Sequence, residues 1–158
     1  MRKRIAGPHH AEPGGESGQG WLDLEQIATV EVTSEDPGFP IEYAFGFSDG
    51  PGWRASQGGE QQIRIIFDKP VPVHRMELRF HEPDYERTQE FTLRWSPESG
   101  GSAREIVRQQ WNFSPTGSTT EIENCVVDLD AVLVLELAIR PDLHRPEAIA
   151  TLASWRVG

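Results

Sequence analysis

Between residues 53 and 96 the chain alternates apolar and polar positions with a period of two. Ile63, Ile65 and Phe67 share one face of a run, Met76, Leu78 and Phe80 share that of a second, and Phe91, Leu93 and Trp95 that of a third. Arg64, Arg75, Glu77, Arg79, Thr92 and Arg94 take the opposite sides. Successive side chains of a strand point to opposite faces, so each run predicts a strand with one buried face. Three such strands in succession need a second layer to cover them. The pattern therefore predicts an all-β fold, an antiparallel β-sandwich.

The same reading extends along the rest of the chain. Residues 27–33 predict a first strand, with Ala28, Val30 and Val32 opposing Ile27 and Thr29. Residues 34–52 carry Pro37, Gly38, Pro40, Gly46, Asp49-Gly50 and Pro51-Gly52, and predict a long loop holding a short strand at 41–45. So long a connection is uncommon without a task, which makes it a functional candidate. Further strands are predicted at 104–111, 119–128, 132–140 and 149–157, with loops at 97–101, 112–117 and 141–146. Residues 132–140 are apolar on both faces, as a central strand requires, and Glu136 and Arg140 within them need partners or a place at the sheet margin. The total of about eight or nine strands suits a jelly roll or an immunoglobulin-like sandwich. Residues 1–20 are rich in Gly, Pro, Glu and Ser without periodicity, and predict a disordered tail before a single domain at 21–158.

Composition narrows the function classes. A chain of 158 residues, 37% hydrophobic, suits one domain with a substantial core. Its mean hydropathy is −0.51, and no apolar run approaches the roughly 20 residues of a spanning helix. Met1-Arg2-Lys3-Arg4 is followed by no apolar stretch of the kind that a secretory signal needs, so a cytoplasmic home is expected and a membrane partner is not. A net charge of −10 argues against binding nucleic-acid phosphates and is the usual aid to solubility. The single cysteine, Cys125, excludes an intrachain disulfide and a cysteine-based zinc site, and its strand-like setting predicts a packed thiol. His9-His10 alone make a poor metal site.

The order of these features resembles the discoidin, or coagulation factor 5/8 type C, family of galactose-binding-like jelly rolls. The resemblance rests on Asp49-Gly50-Pro51-Gly52-Trp53, on the alternating run 63–69, and on the Val-X-Arg-hydrophobic strand 73–80. It continues through Phe91-Thr92-Leu93-Arg94-Trp95-Ser96, the penultimate strand 135–140 and the closing one at 150–157, covering about residues 21–158. It implies a jelly-roll binding domain without catalysis; the family's cation-binding loop falls on the Asp49-Gly50 turn, where Asp49 and backbone carbonyls could hold a structural Ca²⁺, but a plain turn is the better reading. Two departures stand out: the disulfide that ties the ends of many extracellular members is impossible here, and few acidic or hydroxyl ligands surround Asp49.

Catalytic signatures are missing from the sequence: it has no nucleophile elbow, zincin motif, phosphate-binding loop or dinucleotide fingerprint. Sugar recognition needs a flat aromatic face for the C–H side of the ring and planar polar groups for its hydroxyls. Trp53-Arg54 offers both after the long loop, although Trp53 also suits an end plug. His81, Glu82, Tyr85 and Arg87 form a second candidate set in the following loop. The run 108–113, with Gln109, Trp111 and Asn112, forms a third. Trp95 and Trp155 are in phase with core positions. The expected ligand is a carbohydrate, no cofactor being required. The alternative is a partner protein, bound by a cytoplasmic interaction or assembly module whose polar strand faces carry alternating Arg and Glu.

Overall fold

The computed structural model describes residues 2–3, 16–17, 20–46 and 50–158. In chain order the strands are β1 (Arg2–Lys3), β2 (Glu16–Ser17), β3 (Trp21–Leu22), β4 (Ala28–Val32), β5 (Trp53–Gly58), β6 (Gln61–His81), β7 (Arg87–Ser96), β8 (Arg104–Phe113), β9 (Thr120–Arg140), β10 (Ile149–Leu152) and β11 (Ser154–Val157). A one-turn helix, α1 (Leu24–Ile27), leads into β4. Most of the predicted tail lies outside the described residues. Of the pieces described, β1 pairs parallel with β4, and β2 pairs antiparallel with β3.

Two strands of 21 residues, β6 and β9, carry the architecture. Each merges two of the runs that the sequence separates. Their pairing shifts register between Ile66 and Arg75, where Pro70 and Pro72 deny the ladder two amide hydrogens and the chain turns a corner. Before the corner, residues 61–67 of β6 lie between β4 and the second half of β9, which continues into β7 and β8. After it, residues 73–81 lie between β11 and the first half of β9. One hydrogen-bonded sheet thus folds over itself into a six-stranded layer, β1-β4-β6-β9-β7-β8, and a three-stranded one, β11-β6-β9. The layers meet face to face: Phe80 of one sits with its ring centroid 5.3 Å from that of Phe91 in the other. The three apolar rows read from the sequence point between the layers, with Ile63, Ile65, Phe67, Met76, Leu78, Phe80, Phe91 and Leu93 all buried. Fully burying side chains of this size contributes about 1.5–3 kcal/mol each. The sandwich is the predicted one.

Two details differ from the sequence reading. Residues 41–45 form a 3₁₀ turn and not a strand. Pro40 precedes it, Gly46 closes it at a left-handed φ of 78°, and Ile41 and Ala44, three apart, are both buried. The predicted closing strand divides at Ala153: β10 pairs with β5 outside the main layers, whereas β11 joins β6. Beyond β11, the Gly158 carbonyl accepts hydrogen bonds from the backbone amides of His74 and Arg75, at 2.7 and 2.9 Å, which fastens this end of the chain beside the corner.

The outer face of the larger layer is held by charge. Glu31, Arg64, Glu136, Arg94 and Glu105 stand in consecutive register across five strands with alternating sign. Arg64 reaches Glu31 at 3.3 Å and Glu136 at 3.6 Å, and Arg94 reaches Glu136 at 3.6 Å. The partners that Glu136 needs in so apolar a strand are these two arginines. Arg108 likewise meets Glu90 and Glu105.

Candidate binding groove

The β5–β10 pair, the turn after β6 and the loop after β9 converge at one end of the sandwich and enclose a groove of ≈ 630 Å³. Close approach of β5 to β10 depends on Gly52. Its φ is 101°, and a Cβ there would overlap the Leu152 carbonyl. The residue after it, Trp53, is buried, and its indole donates to the Ser34 carbonyl at 3.1 Å. Its ring therefore plugs the sandwich end and has no face to offer a ligand. Of its two readings, burial leaves only the structural one. Arg54 points the other way, as its neighbour in a strand must, and lines the groove. Its guanidinium stacks 4.1 Å above the Phe39 ring.

Arg87 forms the back wall. Its side chain is 4% exposed, and its Nε donates to Glu82 Oε1 at 3.0 Å. One terminal nitrogen donates to Pro141 O at 2.8 Å and to Gln89 Oε1 at 3.0 Å, and the other to Thr151 at 3.3 Å. Burial pulls the guanidinium's pKa down, and Glu82, then Asp142 and Glu121, oppose that pull. A cation held by this many acceptors is fixed in place before any ligand arrives. His81 at the rim shares a 3.0 Å hydrogen bond with Thr120, and Tyr85 is 65% exposed over the opening.

Behind Arg87 the polar chain continues inward. Gln89 Nε2 donates to Glu121 Oε1 at 3.4 Å, and both residues are fully buried. Burial above all, and then Glu123, push the Glu121 carboxyl up to about 8, with Gln89 and Arg87 acting in the opposite direction. The other carboxyl oxygen of Glu121 has no hydrogen-bond partner among the described residues.

The sequence candidates thus divide. Arg54, His81, Glu82, Tyr85 and Arg87 come together in the groove. Gln109, Trp111 and Asn112 do not line it: Asn112 accepts from Thr88 at 2.8 Å, and Trp111 donates to Ser118 at 3.2 Å. Asp49, the weak Ca²⁺ candidate that reads better as a plain turn, lies outside the described residues, as do His9 and His10. The described residues hold no cluster of three or more His, Cys, Asp or Glu placed to bind a metal. Phe39, Asp142, Arg145 and Glu147 complete the groove and were not singled out by the sequence. Only the pairing of β5 with β10 brings their loops together, and nothing local to residues 141–146 announces it.

No protein-family profile and no curated protein matches the sequence. Solved structures do. A family 32 carbohydrate-binding module from Clostridium perfringens NanJ, in complex with galactose, superposes with a TM-score of 0.60 at 12% identity, over 82% of this chain and 92% of that one. A chitosan-binding module of a Paenibacillus chitosanase/glucanase gives 0.59 at 19% identity, over 83% and 94%. A Ruminococcus gnavus GH29 fucosidase in complex with fucose gives 0.62 at 11% identity over 82% of this chain, which spans only 25% of the enzyme's length. At these identities the likeness is one of fold, and the chain has the β-sandwich fold of these modules.

Proposed function

We propose that this chain is a non-catalytic carbohydrate-binding module and that the groove between the 81–87 turn and the β5–β10 pair takes the sugar. The observation that carries this reading is the convergence of exposed Arg54 and Tyr85 on an open groove whose back wall, Arg87, is immobilised by Glu82 and three further acceptors. The Arg54 guanidinium, exposed in the groove, offers planar donors to sugar hydroxyls, and Tyr85 and the Phe39–Arg54 stack supply apolar and flat surface. Catalysis finds less support. The carboxyl with a raised pKa, Glu121, is fully buried behind the groove wall, out of reach of a glycosidic oxygen.

The fold neighbours suggest the panel to test: galactose, fucose and chitosan oligosaccharides. Titration calorimetry is expected to give a dissociation constant on the order of micromolar to millimolar for at least one of them, since a shallow site buries little area. Tyr85→Ala and Arg54→Ala should each weaken binding by about tenfold, the loss expected when a contact worth about 1.4 kcal/mol is removed. Trp111→Ala, outside the groove, should leave it unchanged. Binding that survives the first two substitutions and fails with the third would move the site to the β8 edge.

A further inference from the structure

The first half of β9 is a sheet edge. Residues 120–129 pair with β6 on one side, and among the described residues no strand pairs with them on the other, because β7 joins β9 only from Val134 onward. The pairing with β6 is unbroken from Val126 to Thr120, and the run holds no proline, lysine or arginine. Natural edges are commonly blunted by such residues, by bulges or by other charges, and of these devices the run carries only acidic side chains, Glu121 and Glu123 facing inward and Asp128 outward. The edge strand of the larger layer, β8, carries a register shift opposite Arg94 and exposed Arg104, Glu105 and Arg108. On the solvent face of β9, by contrast, Val126 is 89% and Ile122 48% exposed, with Asn124 between them.

We propose that this edge pairs with the same edge of a second copy of the chain, antiparallel about Asn124. The choice of occupant follows from the order of residues. Centring the two-fold on Asn124 sets Ile122 opposite Val126 of the partner subunit twice over, Asn124 opposite its own copy, and Thr120 opposite Asp128 of the partner subunit. On the inner face it sets Glu121 against Val127 of the partner subunit and Glu123 against Cys125 of the partner subunit. Neighbouring registers fail. Centring on Glu123 opposes that carboxylate to its own copy, centring on Ile122 opposes Glu121 to Glu123, and centring on Cys125 sets Ile122 against Asp128. One register alone joins apolar to apolar and keeps carboxylates apart, the self-complementarity that an isologous contact needs. The pairing would join two three-stranded layers into a continuous six-stranded one. An edge of about nine residues buries less than a standard interface, so the dimer is a weak one that dissociates on dilution. Two chains of charge −10 repel at long range, and added salt therefore strengthens it.

Sedimentation velocity across about 10–500 micromolar protein, at low and moderate salt, reads the equilibrium directly. A monomer–dimer shift that grows with salt is expected, and Val126→Lys should abolish it while leaving the circular-dichroism spectrum and melting temperature unchanged. The register has its own readout. In a Cys125→Ser background, Asn124→Cys should form an intermolecular disulfide under mild oxidation, whereas Val126→Cys, displaced by two residues on each strand, should not. A wild-type chain that stays monomeric throughout overturns the proposal and leaves the edge to a strand of a different protein. Equal cross-linking at both positions, or a Val126→Lys dimer as tight as the parent, overturns it as well.

Discussion

Glu121 shows what one side chain contributes at this end of the sandwich. It is fully buried, and its carboxyl is pushed up to about 8 by desolvation and by Glu123. In the unfolded chain it titrates near 4.5. Between those values the folded state keeps a proton that the unfolded state has lost, so stability falls as pH rises through the window, by at most about 1.4 kcal/mol per pH unit from this group. Below the window both states are protonated and the effect vanishes. Glu121→Gln, which keeps the hydrogen-bonding shape without the ionisation, should therefore raise the melting temperature more at pH 8 than at pH 5. Parallel pH profiles for the two proteins would show that this carboxyl is not the source. Cys125, two positions beyond Glu123 on the same face, has its thiol pushed up by burial and by that carboxylate. A thiol so placed is a poor nucleophile.

At the scale of strands, the alternating ladder across the larger layer makes Glu136 its central anion, with Arg64 on one side and Arg94 on the other. Glu136→Gln should cost about 0.5–1 kcal/mol in urea unfolding at low salt, and less in 1 M salt, because the arginines are about one-third exposed. An equal loss at both salt concentrations would assign the cost to packing. Elements of this kind are legible in sequence: period-two alternation marked the three central rows, and the two-sided apolar run at 132–140 marked the middle strand. The 3₁₀ turn at Ile41–Phe45 was not, since five residues with apolar ends satisfy either period and only the flanking Pro40 and Gly46 favour the turn. Trp53 was legible both as a ligand-facing aromatic and as an end plug, and what decides for the plug is a long-range contact, its hydrogen bond to Ser34 nineteen residues earlier. The groove was half legible. His81, Glu82, Tyr85 and Arg87 are close in sequence, whereas Phe39, Asp142, Arg145 and Glu147 reach it through a long-range strand pairing.

The whole molecule inherits its cooperativity from β6 and β9, which run through the corner and belong to both layers. Neither layer can lose β6 or β9 without the other losing it too. Urea unfolding followed by tryptophan fluorescence and by far-ultraviolet circular dichroism should therefore superimpose as a single transition. Two separated transitions would mean that the layers are held independently. Pairing through the β9 edge would also place two grooves on one particle, and a weak monosaccharide affinity would then rise by avidity on a multivalent surface. The clasp at Gly158 has a practical side. From Ala153 at the groove, β11 runs four residues along the smaller layer before its last carbonyl is taken up beside His74 and Arg75, about 15 Å away at strand rise. A biosensor anchor or fluorescent carrier joined after that glycine leaves the mouth of the groove turned outward, whereas one inserted at Ala153 would sit in it.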